Sequence, residues 1–395
     1  MFLNCHSFHS LRYGTIPLDD LIRQAANCGV SAAALTDINT VTGIYDFIKG
    51  CEASGIKPLL GIEFRCRHKL RYIGLAKNAA GLAQMNRFLT DHNFSGNPLP
   101  EKAPSFESVY FIYTLENAPA ELDENEYIGI QPDQLGRLFM PELKKKISKM
   151  VILQPVVFRT KREYNLHRIL RAVDLNELLS KLGPEDYCRK SDMMMPEAEL
   201  TVLYKDYPEI IQNTRYIIEH CNFHYDFESP KNKKHYTKNK AGDIALLTTL
   251  AEEGLVWRYG RHNDQAKARV EKELKVINDL EFSGYFLITW DIIRYSNSRG
   301  FLHIGRGSGA NSIIAYCLGI TDICPLELDL YFERFLNENR KSPPDFDIDW
   351  SWKERDVILK YIFDRYGYEN VAFCGTNVEF KYRSIFREVG KVFGL

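Results

Sequence analysis

Across KSPPDFDIDW, residues 341–350, an acid stands at every second position: Asp345, Asp347 and Asp349 alternate with Phe346, Ile348 and Trp350. In an extended strand successive side chains point to opposite faces, so the spacing predicts one acidic face and one apolar face. Aspartate is disfavoured in strands, and carboxylates two residues apart on one face stand roughly 7 Å from each other, where they repel unless they share a cation. A divalent metal would remove that conflict. The competing explanation is a half-exposed strand with solvated aspartates, and the motif alone does not exclude it.

Upstream lies HIGRGSGANSIIAYCLGI, residues 303–320, where Gly305, Gly307 and Gly309 precede an apolar run. Glycine lets backbone N–H groups approach a ligand, and a helix N-terminus adds unpaired donors and the positive end of its dipole. The loop is therefore expected to open directly into a helix and to cradle phosphate, with Arg306 and Ser308 adding a guanidinium and a hydroxyl. It is neither a Walker A loop, since no Lys-Ser/Thr closes it, nor a dinucleotide fingerprint. A glycine-rich turn by itself is more often structural. Same-face carboxylates opposite a phosphate clamp are, however, the parts that two-metal nucleotidyl transfer with Mg²⁺ requires. Between them YFERFLNENRKS offers Arg334 and Arg340, able either to neutralise phosphate charge or to pair with Glu333 and Glu338.

These groups need elements to position them. MFLNCHS, SAAALTD, KPLLGIEF, RYIGLAKN, SVYFIYTL and VILQPVVF read as strands, while LDDLIRQAANCGV, IYDFIKGCEASGI, GLAQMNRFLTDH and the short ELKKKISKM read as helices between them. That rhythm predicts an α/β fold with a largely parallel sheet or barrel and polar ligands at strand C-terminal ends. Helical patterns follow from Glu163 to about Cys221, then a lysine-rich stretch containing Pro230, then DIALLTTLAEEGLVWRYG, DQAKARVEKELKVINDL and GYFLITWDIIRYSNSRG as further helices. The expected domains are 1–215, with a helical extension; a linker, 216–240; a catalytic segment, 241–375; and a terminal piece, 376–395.

A chain of 395 residues is too long for one ordinary core and predicts two or three domains. It is 45% hydrophobic and 26% charged, with no secretory signal and no apolar run of membrane-spanning length, so a cytoplasmic protein without a membrane partner is expected. Nine cysteines without a C-x-x-C pair point to reduced, buried thiols. The net charge of -1 conceals a segregation: ENAPAELDENE carries acids and no base, SPKNKKHYTKNK lysines and no acid. That lysine-rich stretch and WRYGRHNDQAKARVEKELK are candidate contacts to DNA phosphates, against the plainer alternative of solvated charge.

GYFLITWDII, GRGSGANS, AYCLGITDICPLELDLYFERFLN, PDFDIDW and RDVILKYIFDRYG closely resemble, in order and spacing, the palm of the bacterial replicative DNA polymerase III α subunits, family C, from roughly Gly254 onward. The resemblance implies a polymerase β-like nucleotidyltransferase palm, here incomplete. It implies that Asp345 and Asp347 are catalytic and hold two Mg²⁺ ions, that Arg306, Gly307 and Ser308 meet the triphosphate, and that Arg334 and Arg340 contact the nucleotide. Asp349 matches a family acid outside the metal-binding pair. The chain departs from the family at His303-Ile304, where Gly-Pro is usual, and at Asn311, where a smaller side chain is usual. The family's third catalytic aspartate has no counterpart up to Leu395, and 376–395 would begin its thumb, so the 395-residue chain alone is not expected to extend primers. Implied partners are primer-template DNA and dNTP, with a sliding clamp and other replisome subunits in the full-length form.

The N-terminal part resembles the PHP domain that opens these α subunits, a distorted βα barrel whose intact members hold metals for phosphoester hydrolysis. His6, Asp37 and Glu63 match ligand positions, but Asn4 and Ile38 replace histidines, Arg71 falls at another histidine position, and VVFRTKREY lacks the Asp-x-His pair. A guanidinium cannot coordinate a metal and repels it. His6, Asp37 and Glu63 are therefore expected to be a vestigial, hydrogen-bonded set without Zn or Mn, His9 being a minor candidate for a substitute ligand. Three functions remain: a polymerase segment, a PHP phosphoesterase, or a scaffold in which the PHP part supports the palm.

Overall fold

A computed structural model describes residues 1–229, 231–337, 345–376 and 378–395, which form two compact units, 1–226 with 375–395 and 227–374. These units divide the chain differently from the expected 1–215, 216–240, 241–375 and 376–395. The helix Pro208–His220 runs into the supposed linker because Ile210, Ile211, Thr214 and Ile217 continue its buried stripe. Residues 375–395 group with the first unit, where the helix Arg383–Val392 packs against Lys161–Leu175, instead of standing as a separate piece.

The first unit contains strands β1 (Phe2–Cys5), β2 (Ala32–Leu35), β3 (Lys57–Cys66), β4 (Lys69–Ala76), β5 (Val109–Thr114), β6 (Glu126–Ile130), β7 (Met150–Ile152) and β8 (Pro155–Val156), in the order β7-β6-β5-β4-β3-β2-β1-β8. Only Leu153 and Gln154 separate β7 from β8, yet these strands lie at opposite ends of the order. So short a connection spans roughly 10 Å, which forces the sheet to curl until its edges approach. The result is the distorted α/β barrel. Its helices are α1 (Leu18–Asn27), α2 (Ile44–Ala53), α3 (Ala79–Ser95), α4 (Pro141–Lys144), α5 (Lys161–Leu175), α6 (Glu197–Leu203) and α7 (Pro208–His220).

Both faces of the sheet are buried, as strands this uniformly apolar require. Alternate residues feed two clusters: Ala33, Leu35, Ile62, Phe64 and Phe111 join the helices, whereas Leu3, Ala34, Leu59, Ile73 and Ile112 form a second core with Ile217 of α7 and Cys221 just after it. Strand β4 runs antiparallel to both neighbours because only Arg67 and His68 separate it from β3, too few residues for a parallel crossover. Strand β6 was hidden by the acidic run it ends. Its Glu126 is buried, accepting from the Tyr113 hydroxyl at 2.7 Å and the Asp123 N–H at 2.8 Å.

The second unit is built on α8 (Lys240–Tyr259), α9 (Asp264–Asp279), α10 (Ser283–Ser298), β9 (His303–Arg306), α11 (Ile313–Cys317), β10 (Asp347–Trp350) and α12 (Trp352–Tyr366). Asn239 and Asn263 cap α8 and α9, accepting from the Gly242 and Ala266 N–H groups at 2.9 Å each. Leu247, Ala251, Ile277, Phe286, Ile313 and Phe335 are among the residues of its core. Among the described residues, no helix is long and apolar enough to cross a membrane. The cysteines are all unpaired and mostly buried, but Cys374 is exposed.

Candidate functional site

Strand β10 pairs antiparallel with β9, placing Asp347 opposite Arg306 and Asp349 opposite Ile304. The predicted alternation is present from Asp345 onward: the three acids are exposed, and Phe346, Ile348 and Trp350 are half-buried. Apolar anchors set this register. Phe346 stacks on Tyr285 at 5.5 Å and meets Phe286 and Phe335 at 5.1 and 5.2 Å, while Trp350 Nε1 donates to Ser296 Oγ at 2.8 Å. A slip of one residue would bury the acids and expose the rings, so the apolar face holds the carboxylates outward. Asp345 itself precedes the strand.

The glycine loop lies directly against these acids. Gly307 has φ +74°, and a Cβ there would fall 2.5 Å from Asp347 Oδ2. Arg306 Nε donates to Asp349 Oδ2 at 2.7 Å and Nη1 to Asp347 Oδ2 at 3.4 Å. The hydrogen bond and charge of Asp349, with the charge of Asp347, raise the Arg306 pKa. Ser308 is half-buried next to them, its carbonyl accepting from Asn311 Nδ2 at 2.9 Å.

The expected helix-terminus cradle requires correction. A 3₁₀ turn, Gly307–Asn311, intervenes before α11, and the α11 N-terminus is already filled from within. Ser312 Oγ accepts from Ala315 N–H at 3.2 Å, and the buried Glu273 carboxylate takes the Ser312 hydroxyl at 2.8 Å, the Ile314 N–H at 3.4 Å and Arg269 Nε at 2.7 Å. Burial raises the Glu273 pKa despite these donors. The polar groups the loop itself presents are Arg306, the Ser308 hydroxyl and its backbone.

Arg334 is exposed on the turn Phe332–Arg334, and its side chain makes no hydrogen bond or ion pair with a described residue; the neighbouring Glu333 is taken by Lys272 at 2.5 Å. Arg340 and Glu338 lie outside the described residues. Within WRYGRHNDQAKARVEKELK, Arg258, Arg269 and Lys272 pair with Asp322, Glu273 and Glu333, leaving Arg261, Lys267 and Lys275 as its exposed bases. No three His, Cys, Asp or Glu side chains converge on a metal position among the described residues. Asp345 and Asp347 thus offer hard oxygen donors of the sort Mg²⁺ uses with water and substrate phosphates, not a closed transition-metal cage.

The barrel mouth is arranged otherwise. His6 follows β1, Asp37 follows β2 and Glu63 lies within β3; all three are buried. Asp37 is fully engaged, accepting from Ser7 N–H and Oγ at 2.7 Å each and from Ser10 Oγ at 2.6 Å. Glu63 Oε2 accepts from Asn4 Nδ2 at 2.7 Å and lies 3.1 Å from His6 Nε2, while Arg65 Nε donates to Oε1. Burial would raise the Glu63 pKa, but Arg65 and His6 hold it well below the usual carboxylate range. Asn4, His6, Glu63 and Arg65, but not Asp37, line a cavity of about 200 Å³ that also reaches Tyr13, Arg189 and Asp192. His9 does not join them; its ring lies against Phe8 and Gly43. Arg71, the cation expected at a ligand position, instead pairs with Glu101 at 3.0 Å. Two arginines line the mouth: Arg189, held by Asp133 at 2.6 Å, and Arg65, which sequence reasoning passed over although its i,i+2 spacing from Glu63 in a strand placed both on one face.

A further residue escaped notice. Asp291 of α10 is fully buried and accepts from the hydroxyls of Tyr236, Tyr361 and Tyr366 at 3.0, 2.9 and 3.0 Å, and from Arg294 and Arg365 at 2.6 and 3.3 Å. Its signal was an acid inside an apolar helical run, GYFLITWDII.

Residues 3–282 match the family described as the PHP domain, and residues 245–395 match the bacterial DNA polymerase III alpha NTPase domain. Among curated proteins the chain is 29% identical to an error-prone DNA polymerase of Symbiobacterium thermophilum, over 99% of this chain and 41% of that protein. It is 29% identical to the DNA polymerase III subunit alpha of Bacillus subtilis and 30% identical to that of Streptococcus pyogenes, in each case over 100% of this chain and 38% of the relative. The chain therefore spans about two fifths of the length of these relatives.

Proposed function

The chain belongs to the PHP domain family, and because its second half matches the polymerase III alpha NTPase domain we propose that unit 227–374 handles the nucleotide in a DNA-directed DNA polymerase. The reaction is nucleotidyl transfer from a dNTP to a primer 3′ end in chromosomal replication. The supporting observation is the β9–β10 pairing, which sets the Asp347 carboxylate against Gly307 and beside Arg306. Asp345 and Asp347 would hold Mg²⁺, which supplies Lewis-acid charge to the reacting phosphate. Arg306 and Ser308 bind the triphosphate, and Arg334, uncommitted within the described residues, adds a second positive charge. Arg306 leaves its carboxylate partners as the phosphate arrives. Primer-template DNA is the partner, with a sliding clamp and replisome subunits in the whole polymerase, acting in the cytoplasm.

The PHP part serves as a scaffold in this proposal and not as a phosphoesterase. Asp37 is bound to Ser7 and Ser10, and Glu63 to Arg65, which leaves no open pair of ligands for a hydrolytic metal.

Thermal unfolding of the chain with Mg²⁺ and dNTP tests the palm assignment. Ligand at ten times its Kd stabilises by about 1.4 kcal/mol, an effect expected in the wild type and lost in Asp345→Asn/Asp347→Asn. Equal stabilisation in both, or none in either, refutes it. A generic phosphoester hydrolysed by the wild type, with loss of turnover in Glu63→Gln, would refute the scaffold role.

A further inference from the structure

The barrel mouth holds a carboxylate that would be costly to keep charged without a counter-ion: Glu63 is 2% exposed. Arg65, at 12% exposure, supplies that counter-ion. The backbone of β3 delivers it, because residues two apart on a strand share a face. Tyr13 steadies the guanidinium, its ring centre 4.2 Å away. Around this pair the remaining groups are already oriented. His6 Nε2 faces Glu63 Oε2 at 3.1 Å, and His6 Nδ1 meets Ser10 Oγ at 3.2 Å, while the same hydroxyl donates to Asp37 Oδ1 at 2.6 Å. Such a carboxylate–hydroxyl–imidazole chain fixes a ring as outer partners fix a metal-binding histidine.

Arg189 also lines the cavity but is held by Asp133 at 2.6 Å, so we propose that Arg65 is the cation resident on the Glu63 carboxylate, and that it is this guanidinium, more than the missing histidines, that keeps divalent metal out. The set His6, Glu63 and Asn4 is a latent transition-metal site whose charge is already balanced. Asn4 touches both other members, its Oδ1 3.0 Å from His6 Nε2 and its Nδ2 2.7 Å from Glu63 Oε2, so a histidine there would complete a three-ligand set once Arg65 is gone. The inference rests on the geometry of the first unit alone and stands or falls separately from the polymerase assignment.

The test measures Zn²⁺ uptake by equilibrium dialysis, with Zn²⁺-dependent thermal shifts, on the 395-residue chain in an Asp345→Asn/Asp347→Asn background that removes palm binding. Without further change, and with Asn4→His alone, no stoichiometric Zn²⁺ is expected. Asn4→His/Arg65→Ala is expected to take up close to one ion per chain, at least tenfold more tightly than Asn4→His, and to regain thermal stability with Zn²⁺. Tight binding by Asn4→His alone overturns the proposal, because Arg65 would then not be the obstacle. So does a folded double variant that stays empty. Should Arg65→Ala chains fail to fold even with Zn²⁺, Asn4→His/Arg65→Lys decides: exclusion of Zn²⁺ with near-native stability supports a resident cation, and uptake of Zn²⁺ overturns it.

Discussion

Two neighbouring glycines, Gly305 in β9 and Gly307 in the turn that follows it, should fail in different ways when given a methyl group. At Gly305 a Cβ would lie 2.1 Å from the carbonyl oxygen of Ile320, a backbone atom held by the helix and turn behind it. Neither partner can yield without unpairing β9 from β10, so Gly305→Ala is expected to cost about 3 kcal/mol, the upper part of the range for overpacking. At Gly307 the obstructing atom is Asp347 Oδ2, 2.5 Å away at the end of a rotatable side chain. Relief requires the carboxylate to retreat by roughly 1 Å, to ordinary contact distance. The left-handed φ of +74° adds a conformational cost of about 1–2 kcal/mol. Gly307→Ala should therefore fold with a modest loss of stability but bind Mg²⁺–dNTP at least tenfold more weakly, since the acid no longer stands where the loop presents phosphate. Urea denaturation and calorimetric titration of both variants check the pair. Unchanged nucleotide affinity in Gly307→Ala would refute the claim that contact between Asp347 and the loop matters to binding.

Asp291→Asn should lower stability by about 2–3 kcal/mol in urea, because an amide cannot accept from three tyrosine hydroxyls at once, while the half-exposed Arg294 and Arg365 can turn to water. His167 donates from Nδ1 to the Tyr13 carbonyl at 2.7 Å and accepts the Cys188 N–H at Nε2, and burial lowers its pKa from 6.5 to about 4. The unfolded chain then binds more protons than the folded one between those values, so His167 withdraws stability as pH falls from 6.5 to about 4. Melting temperatures across that range should show a slope that His167→Gln flattens; an unchanged slope removes His167 as its cause. Arg334→Ala should leave stability within about 0.5 kcal/mol, as for an exposed side chain without a described partner, yet weaken dNTP binding in the same titration.

How much the sequence revealed depended on whether each signal was local. Strands β1, β2, β3 and β5 were legible because they are largely buried and mostly apolar runs, interrupted at Asn4 in β1 and at the charged Lys57, Glu63 and Arg65 of β3. Strand β6 was missed because its first residue, Glu126, is an acid whose partner Tyr113 comes from the neighbouring strand, a pairing that no local pattern announces. VILQPVVF read as one strand but divides at Gln154, whose amide donates to the carbonyls of Ser191 and Met193 and so ends β7. The acids of β10 were legible from alternation alone. The filling of the α11 N-terminus was not, because Glu273 reaches it from a helix far away in the sequence.

Each unit places an arginine among acids, and exposure separates their roles. Arg65 and Glu63 are withdrawn from water, where removing one ion leaves the other uncompensated, so neither salt nor a competing cation has an easy route to displace the pair. Arg306, Asp347 and Asp349 are each about half exposed, where water and salt screen the attraction and the side chains remain free to change partners. A metal ion competing for Asp347 and a triphosphate competing for Arg306 act on the same 3.4 Å contact from its two ends, so binding either one loosens the group that the other needs, although Asp349 still holds Arg306 at 2.7 Å until phosphate displaces it. Metal and nucleotide should therefore bind the second unit with positive cooperativity, and raising the ionic strength should shrink it. The barrel mouth, with its cation buried and its carboxylate engaged on both oxygens, has no equivalent exchange open to it.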